Sequence, residues 1–478
     1  MNQFLNKAKE ISDLIEKKDE ILIISHIDAD GIAAGSIASI ALKRKGIEHG
    51  VRFVKKLDDN EIEKIRNENP QLVWFTDLGS GSLPMLTNLN AVITDHHVPV
   101  KTGIQKKDRT NILNWVNGFT ENSNYHLNPH LFGMDGAYDL SGAGCTYLVT
   151  KMMDKKNSDL AALAIVGAVG DLQDTKTLKL EGTNREVMQD AKNSGSLHWK
   201  KDIRYFGRET RPLFKLLQYA NDPLIPNFSG KEDACITFLL ELGIPLKNEE
   251  NWRRWIDLTL KEKRLISSEI VKLLISKGFG HEIAKRLIGE VYILTKEEEG
   301  TELRDAKEFA TLLNSCGRYD KADVGYNVCL GDRGEWLERA LVLLRGHRRT
   351  LVDNLQLIKE SGISELEYIQ YFHGHDKVPE NIVGTLAGML LGGEEVRSDL
   401  PMLAFALTSE GDIKVSARAT RALVKKGLDL SQVMKKSSEK VGGVGGGHNI
   451  AAGATIPKGS EKEFLAFAEK MVKKQLEK

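Results

Sequence analysis

The stretch EILIISHIDADGIAAGSIASIALKRKG, Glu20 to Gly46, decides how the first part of the chain is read. It opens on a short apolar run, which predicts a buried strand. It continues as a helix with small residues on its packing face and a stop at Gly46. His26, Asp28 and Asp30 lie between the two, at every second position. Carboxylates this close repel one another, so a positive charge is expected among them.

The same pattern recurs downstream. QLVWFTDLG (Gln71 to Gly79) and AVITDHH (Ala91 to His97) are apolar runs that end in acidic or imidazole side chains. SGAGCTYLVTKMM and SDLAALAIVGAVGDLQD, which ends at Asp171 and Asp174, read as helices rich in small residues. Alternating strands and helices predict an α/β fold with a parallel sheet covered by helices. Ligands of such sheets sit at the carboxyl ends of the strands. His26, Asp28, Asp77, Asp95 and His96 all fall at such ends.

Bulk properties narrow the function. A chain of 478 residues predicts two or three domains. The 67 basic and 67 acidic residues balance, so any polyanion site must come from local clustering. Cys145, Cys235, Cys316 and Cys329 form no CxxC pair, which indicates neither a zinc ribbon nor a disulfide framework and fits a reducing compartment. The N-terminal segment reads as an amphipathic helix rather than a signal peptide, and no apolar run reaches membrane-spanning length. A soluble cytoplasmic protein without a membrane partner is expected. Composition shifts near residue 193, predicting three regions: 1–192, a mostly helical insertion at 193–295, and 296–478. The last carries strand candidates PMLAFAL and DIKVSARA, then the glycine-rich VGGVGGGHNIAAGATIP.

Four segments supply hard ligands: SHIDADG, FTDLG, TDHH and VGDLQD. Taken singly, each has a plain explanation as a turn, a helix cap or a surface loop. Together they would bury several carboxylates in one domain, which is unfavourable without a counter-charge. Carboxylates mixed with imidazoles, and no thiolate, favour manganese, magnesium or iron over structural zinc. Six or seven groups exceed what one ion needs and suit two. Two ions about 3.5 to 4 Å apart clamp the attacking and leaving oxygens of a phosphoryl transfer and generate the attacking hydroxide.

HIDADG, TDLG, TDHH and VGDLQD resemble, in order and spacing, the four motifs of the DHH phosphoesterases. VGGVGGGHNIAAGATIP and the SARA of Ser416 to Ala419 resemble the motifs of the DHH-associated C-terminal domain. The length, the insertion and LRDAKEFATLLNSCGRYDKADVG are most similar to the archaeal RecJ-like nucleases, which include the GINS-associated nuclease. The resemblance implies a catalytic domain at 1–192 and a nucleic-acid-binding α/β domain at 296–478 across a cleft. It implies that His26 and Asp28 hold one metal, that Asp30, His96 and Asp171 hold the other, and that Asp77 bridges them. It places His97 next to the site, in contact with the scissile phosphate or a metal-bound water, and Asp95 behind a histidine, orienting its ring. Asp174 is not required by the family pattern and is expected to be structural. Two divalent cations are implied, Mn2+ before Mg2+.

On the substrate side, glycines let backbone N–H groups approach a phosphate closely. Gly445, Gly446 and Gly447 with His448, and Ser416 with Arg418, are the expected phosphate contacts. HWKKDIRYFGRETRPLFK (His198 to Lys215) interleaves cations and aromatics, which suits either a single-strand track or an amphipathic helix with solvated charges. RGHRR (Arg345 to Arg349) reads as a solvated helix face, and the HGH of His373 to His375 as a loop without metal. The expected activity is a metal-dependent exonuclease on single-stranded DNA, or RNA, in replication or repair. Two alternatives share the motifs: a phosphodiesterase of short oligonucleotides or cyclic dinucleotides, and a replisome scaffold that binds GINS.

Overall fold

The computed structural model describes residues 2–100, 125–393 and 396–477. Its fold divides into two compact units. The first comprises residues 1–219 and 231–344, the second 220–230 and 345–478. Among the described residues no helix is long and apolar enough to cross a membrane.

The first unit is built on a five-stranded sheet. Its strands are β1 (Glu20–His26), β2 (Glu48–Val54), β3 (Val73–Thr76), β4 (Ala91–Thr94) and β5 (His126–Leu127). The order is β2-β1-β3-β4-β5 and every pairing is parallel. β1 and β3 are neighbours while β2 lies on the far side of β1, so the order in which strands are added reverses between β1 and β3. A doubly wound sheet opens its ligand crevice at that point. The period of two sorts the strand side chains into two cores. Ile23, Trp74 and Val92 face one, with the helices Ala29–Lys45, Gly142–Met153 and Ala161–Gly170. Ile24, Val73, Phe75 and Ile93 face the other, against the helix Asp59–Glu68.

Register aligns the strand ends. Ser25 pairs with Thr76, Thr76 with Thr94, and Thr94 with Leu127. The next residue on each strand is therefore His26, Asp77, Asp95 and Asn128, in one row along the carboxyl edge. The helix predicted after β1 runs from Ala29 to Lys45, is capped by the side chain of Asp28 and stops at Gly46 with φ 72°.

Within 193–295, helices including Glu232–Glu241 and Leu260–Ser276 lie between two antiparallel strands, Leu197–Ile203 and Ile288–Leu294. The segment His198 to Lys215 therefore opens as a strand rather than a helix. Three of its residues are inside: Arg204 pairs with Asp174 at 2.5 Å, Arg208 with Asp305 at 2.5 Å, and Tyr205 is buried. Arg204 and Arg208 are thereby neutralised within the fold, which leaves Lys200 and Lys201 as cations of this segment that line an open groove.

The second unit carries a six-stranded sheet. In spatial order its strands are Ser364–Glu365, Gln370–His373, Met402–Leu407, Ile413–Arg418, Ala451–Ile456 and Val444–Gly447. The pairing of Gln370–His373 with Met402–Leu407 is parallel and the rest are antiparallel. One face packs on the helices Leu430–Lys440 and Glu461–Leu476, the other on Val383–Leu391. Arg345 to Arg349 lie on the long helix Glu335–Ser361.

Candidate metal centre

Each ligand-type side chain at the carboxyl edge is placed by a local rule. Asp28 ends the turn after β1 as the N-cap of the next helix, accepting from the N–H of Gly31 at 3.0 Å. Asp30, in the first turn of that helix, is fully buried and accepts from the N–H groups of Gly142 (2.7 Å) and Ala143 (3.1 Å). Those donors are the otherwise unpaired start of the helix Gly142–Met153, whose dipole favours a carboxylate there. Asp77 follows β3 with φ 58°, a left-handed conformation that aspartate tolerates better than most residues. Asp171 caps the C-terminus of the helix Ala161–Gly170.

These residues converge. His26, Asp28 and Asp77 each bring a ligand atom within 4.8 Å of the others, as do Asp30, His96 and Asp171. Asp77 also groups with His96 and His97, so it is shared between clusters. Nδ1 of His26 lies 2.9 Å from Asp28 Oδ2 and 3.6 Å from Asp77 Oδ2. Nε2 of His96 lies 2.9 Å from Asp171 Oδ2 and 3.3 Å from Asp77 Oδ1. Yet His26 Nδ1, His96 Nε2 and both carboxylate oxygens of Asp77 are buried without a hydrogen-bond partner. They are close but not aligned as donor and acceptor. Buried polar atoms are rarely left so. Lone pairs that converge without mutual hydrogen bonds could hold a cation.

The outer contacts fix which lone pairs point inward. Nδ1–H of His96 donates to the Gly136 carbonyl at 2.7 Å, which leaves Nε2 as the inward acceptor. Asp95 is saturated: it accepts from the N–H groups of Ser80, His96 and His97, and from His97 Nδ1–H at 2.8 Å. It orients the half-exposed ring of His97.

The electrostatics follow. Burial opposes charge on Asp30, and Asp77 and Asp171 repel it further, so its carboxyl is raised well above the usual range. Asp171 is raised by burial, with His96 opposing. Burial works against charging His26 and His96, but Asp28, Asp77 and Asp171 outweigh it and both rings are raised well above ordinary imidazole. Burial lowers His97 too, but the hydrogen bond and charge of Asp95 take it up to about 9. The cluster draws in positive charge, and a divalent ion supplies it more compactly than protons. Oxygen and imidazole donors of this number fit Mn2+ or Mg2+.

Comparison with known proteins agrees with this geometry. Residues 366–474 match the model of the DHHA1 domain and residues 205–288 that of the DHH-CID domain. Over 486 positions the chain is 31% identical to the Uncharacterized protein MJ0831 of Methanocaldococcus jannaschii, covering 99% of each. The chain belongs to the DHH family and has a RecJ-like fold. Among solved structures, this DHH protein superposes on CDC45 from Entamoeba histolytica with a TM-score of 0.62 at 14% identity, covering 98% of this chain and 97% of that one. It superposes on RecJ in complex with Mn2+ from Thermus thermophilus with a TM-score of 0.58 at 15% identity. It covers 98% of its own length there but 55% of the Thermus chain, so it spans about half of that RecJ.

In the DHHA1 domain, Ser416 pairs across the sheet with Gly453, and Gly453 with Gly446. Arg418 ends the same strand, two residues along and on the same face. A methyl group at Gly384 would meet Arg418 Nη2 at 2.7 Å and Ser416 Oγ at 3.0 Å, so the helix Val383–Leu391 stands directly against both. Gly445, Gly446 and Gly447 lie on the edge strand, where among the described residues the backbone has no further strand to pair with, and His448 follows, exposed. His373 and His375 stack on each other and belong to no candidate metal group among the described residues. Asp174 pairs with Arg204, the structural role expected of it.

Sequence reasoning missed the supports. Asn128 donates to Ser80 Oγ and to the His97 carbonyl, both at 2.8 Å, and holds the loop that carries His97. Asn314 accepts from the N–H of Ala29 at 3.0 Å, and the carbonyl of Ile27 lies 1.8 Å from where a Gly317 Cβ would stand. Both lie in LLNSCGR, a segment the resemblance marked without giving it a task. Glycines 142 and 167 were unremarked: a Cβ there would meet Asp77 Oδ1 at 2.4 Å and Asp30 Oδ1 at 2.2 Å.

Proposed function

We propose that this protein is a metal-dependent exonuclease that hydrolyses phosphodiester bonds of single-stranded DNA or RNA. The observation that carries the reading is the set of four buried, unpaired ligand atoms on His26, Asp77 and His96, flanked by Asp28, Asp30 and Asp171. His26 and Asp28 would hold one divalent cation, Asp30, His96 and Asp171 a second, and Asp77 both. Bound there, Mn2+ or Mg2+ would supply Lewis acidity and a nucleophile formed at neutral pH.

The protein's own groups do the rest. The Gly136 carbonyl keeps His96 in the tautomer that presents Nε2. Asp95 accepts from Nδ1–H of His97 and raises the ring to about 9, so that near neutral pH the ring is an imidazolium whose Nε2–H can donate to a phosphate oxygen of the scissile bond. Arg418, Ser416 and the backbone of Gly445 to Gly447 with His448 bind nucleic-acid phosphate in the DHHA1 domain. The likeness to a RecJ structure that holds Mn2+ supports this choice of metal.

Digestion of end-labelled single strands, DNA and RNA, with Mn2+ or Mg2+ tests the reading. Stepwise release of mononucleotides is expected, and cleavage of dinucleotides with no digestion of longer strands would overturn it in favour of a short-oligonucleotide phosphodiesterase. A replisome role is the second reading, favoured by the CDC45-like fold. The complete ligand set argues for activity alongside any such role. Co-purification with GINS from cell extract tests it.

A further inference from the structure

The region 193–295 holds a groove of about 360 Å³ that shares no residue with the metal centre. Lys200 and Lys201 line it from the strand Leu197–Ile203, and Lys263 and Arg264 from the helix Leu260–Ser276. One carboxylate among the lining residues faces these four cations, that of Asp202. It is already engaged: Trp255 Nε1–H donates to it at 2.8 Å, Arg208 at 3.1 Å, and Lys200 lies 3.4 Å away. The chain as a whole is neutral, so this excess is local rather than a general coat. Lys263 is half-buried over the Trp255 ring, and its ammonium is held below the ordinary lysine value by burial and by Lys200 and Arg208, with Asp202 opposing. Two exposed apolar side chains lie among the cations, Leu260 at 64% and Ile288 at 37% exposure.

We propose that this groove binds the backbone of a single-stranded nucleic acid. The inference rests on the substrate class proposed above and adds a second anchoring point for a longer strand. Cations arriving in pairs from two elements exceed what one phosphate needs and suit successive phosphates. The apolar rim gives unstacked bases a surface that double-stranded substrates could not use. An acidic protein segment would meet the same charge but has no need of that rim.

The test is binding of a fluorescent oligothymidylate of 20 nucleotides to the full-length protein in EDTA, across a range of salt concentrations, for the wild type and for Lys201→Gln with Arg264→Gln. Neither side chain belongs to the metal centre or the DHHA1 motif. For a single strand, each phosphate that the protein no longer neutralises lowers the slope of log K against log salt by about 0.7, so two removed cations should lower it by about 1.4, with weaker binding. Dinucleotide hydrolysis in Mn2+ and the melting curve should stay at wild-type values, which shows the variant is folded. An unchanged slope and affinity in the folded variant would overturn the proposal. The two readings fail separately. A wild type that hydrolyses no strand but shows the slope change keeps the groove and loses the nuclease, and the converse result keeps the nuclease and loses the groove.

Discussion

Asp171 and Asp174 stand three residues apart in one motif, VGDLQD, and meet opposite surroundings. The helix Ala161–Gly170 ends in a Schellman arrangement, with the N–H of Leu172 on the Val169 carbonyl and that of Gln173 on the Ala168 carbonyl. Leu172 takes φ 59° at the position where glycine is usual, and the chain reverses there. Asp171 stays at the helix end beside His96, and Asp174 turns away to Arg204, whose side chain is 4% exposed. One carboxylate has a full counter-charge in the protein. The other faces an unpaired imidazole nitrogen and two further buried carboxylates. Burial alone does not mark a functional carboxylate. Burial with the counter-charge missing does, and the arginine-paired cluster beside it is the control.

That contrast can be broken by mutation. The largest effect is expected at Asp77→Asn, which keeps shape and removes the shared charge. Hydrolysis should fall on the order of 10³-fold or more. The metal-free protein should become more stable, because the charge that repels Asp30 disappears and one of two unpaired carboxylate oxygens becomes an amide donor. Rates in Mn2+ and melting in EDTA check both halves. Arg204→Ala should do the reverse. Leaving Asp174 buried and unpaired costs about 3–5 kcal/mol in urea unfolding, while the folded fraction keeps its rate within a few-fold. Gly167→Ala should couple the two properties. Its methyl group would meet Asp30 Oδ1 at 2.2 Å and Ala143 Cβ at 2.7 Å, so stability falls by about 1–3 kcal/mol and Mn2+ affinity with it. Asn128→Ala is the mildest. It frees the His97 carbonyl and Ser80 but touches no ligand atom, and kcat should drop about tenfold with metal affinity unchanged.

Much of this was readable in the chain. Apolar runs ending in Asp or His predicted the parallel sheet and its loaded edge, and register then set His26, Asp77 and Asp95 side by side. Gly46 marked the helix stop correctly. What the sequence hid depends on partners far away in the chain. His198 to Lys215 has the composition of a binding track, but Arg204 and Arg208 find Asp174 and Asp305 only after folding. That Asp28 rather than Asp30 caps the helix, while standing among the candidate ligands, depends on the Gly31 N–H reaching the Asp28 side chain in the folded turn. Asn128 and Gly167 carry no motif of their own, since their work is a hydrogen bond in one case and the absence of a side chain in the other.

The central claim is that the uncompensated carboxylates exist to hold two cations through Asp77. Calorimetric titration of Mn2+ into the metal-free full-length protein and into Asp77→Asn tests it most directly. The account predicts two ions per wild-type chain, a raised melting temperature with Mn2+, and loss of tight binding at one or both positions in the variant. Equal Mn2+ binding by the two proteins, or none by the wild type, would contradict it.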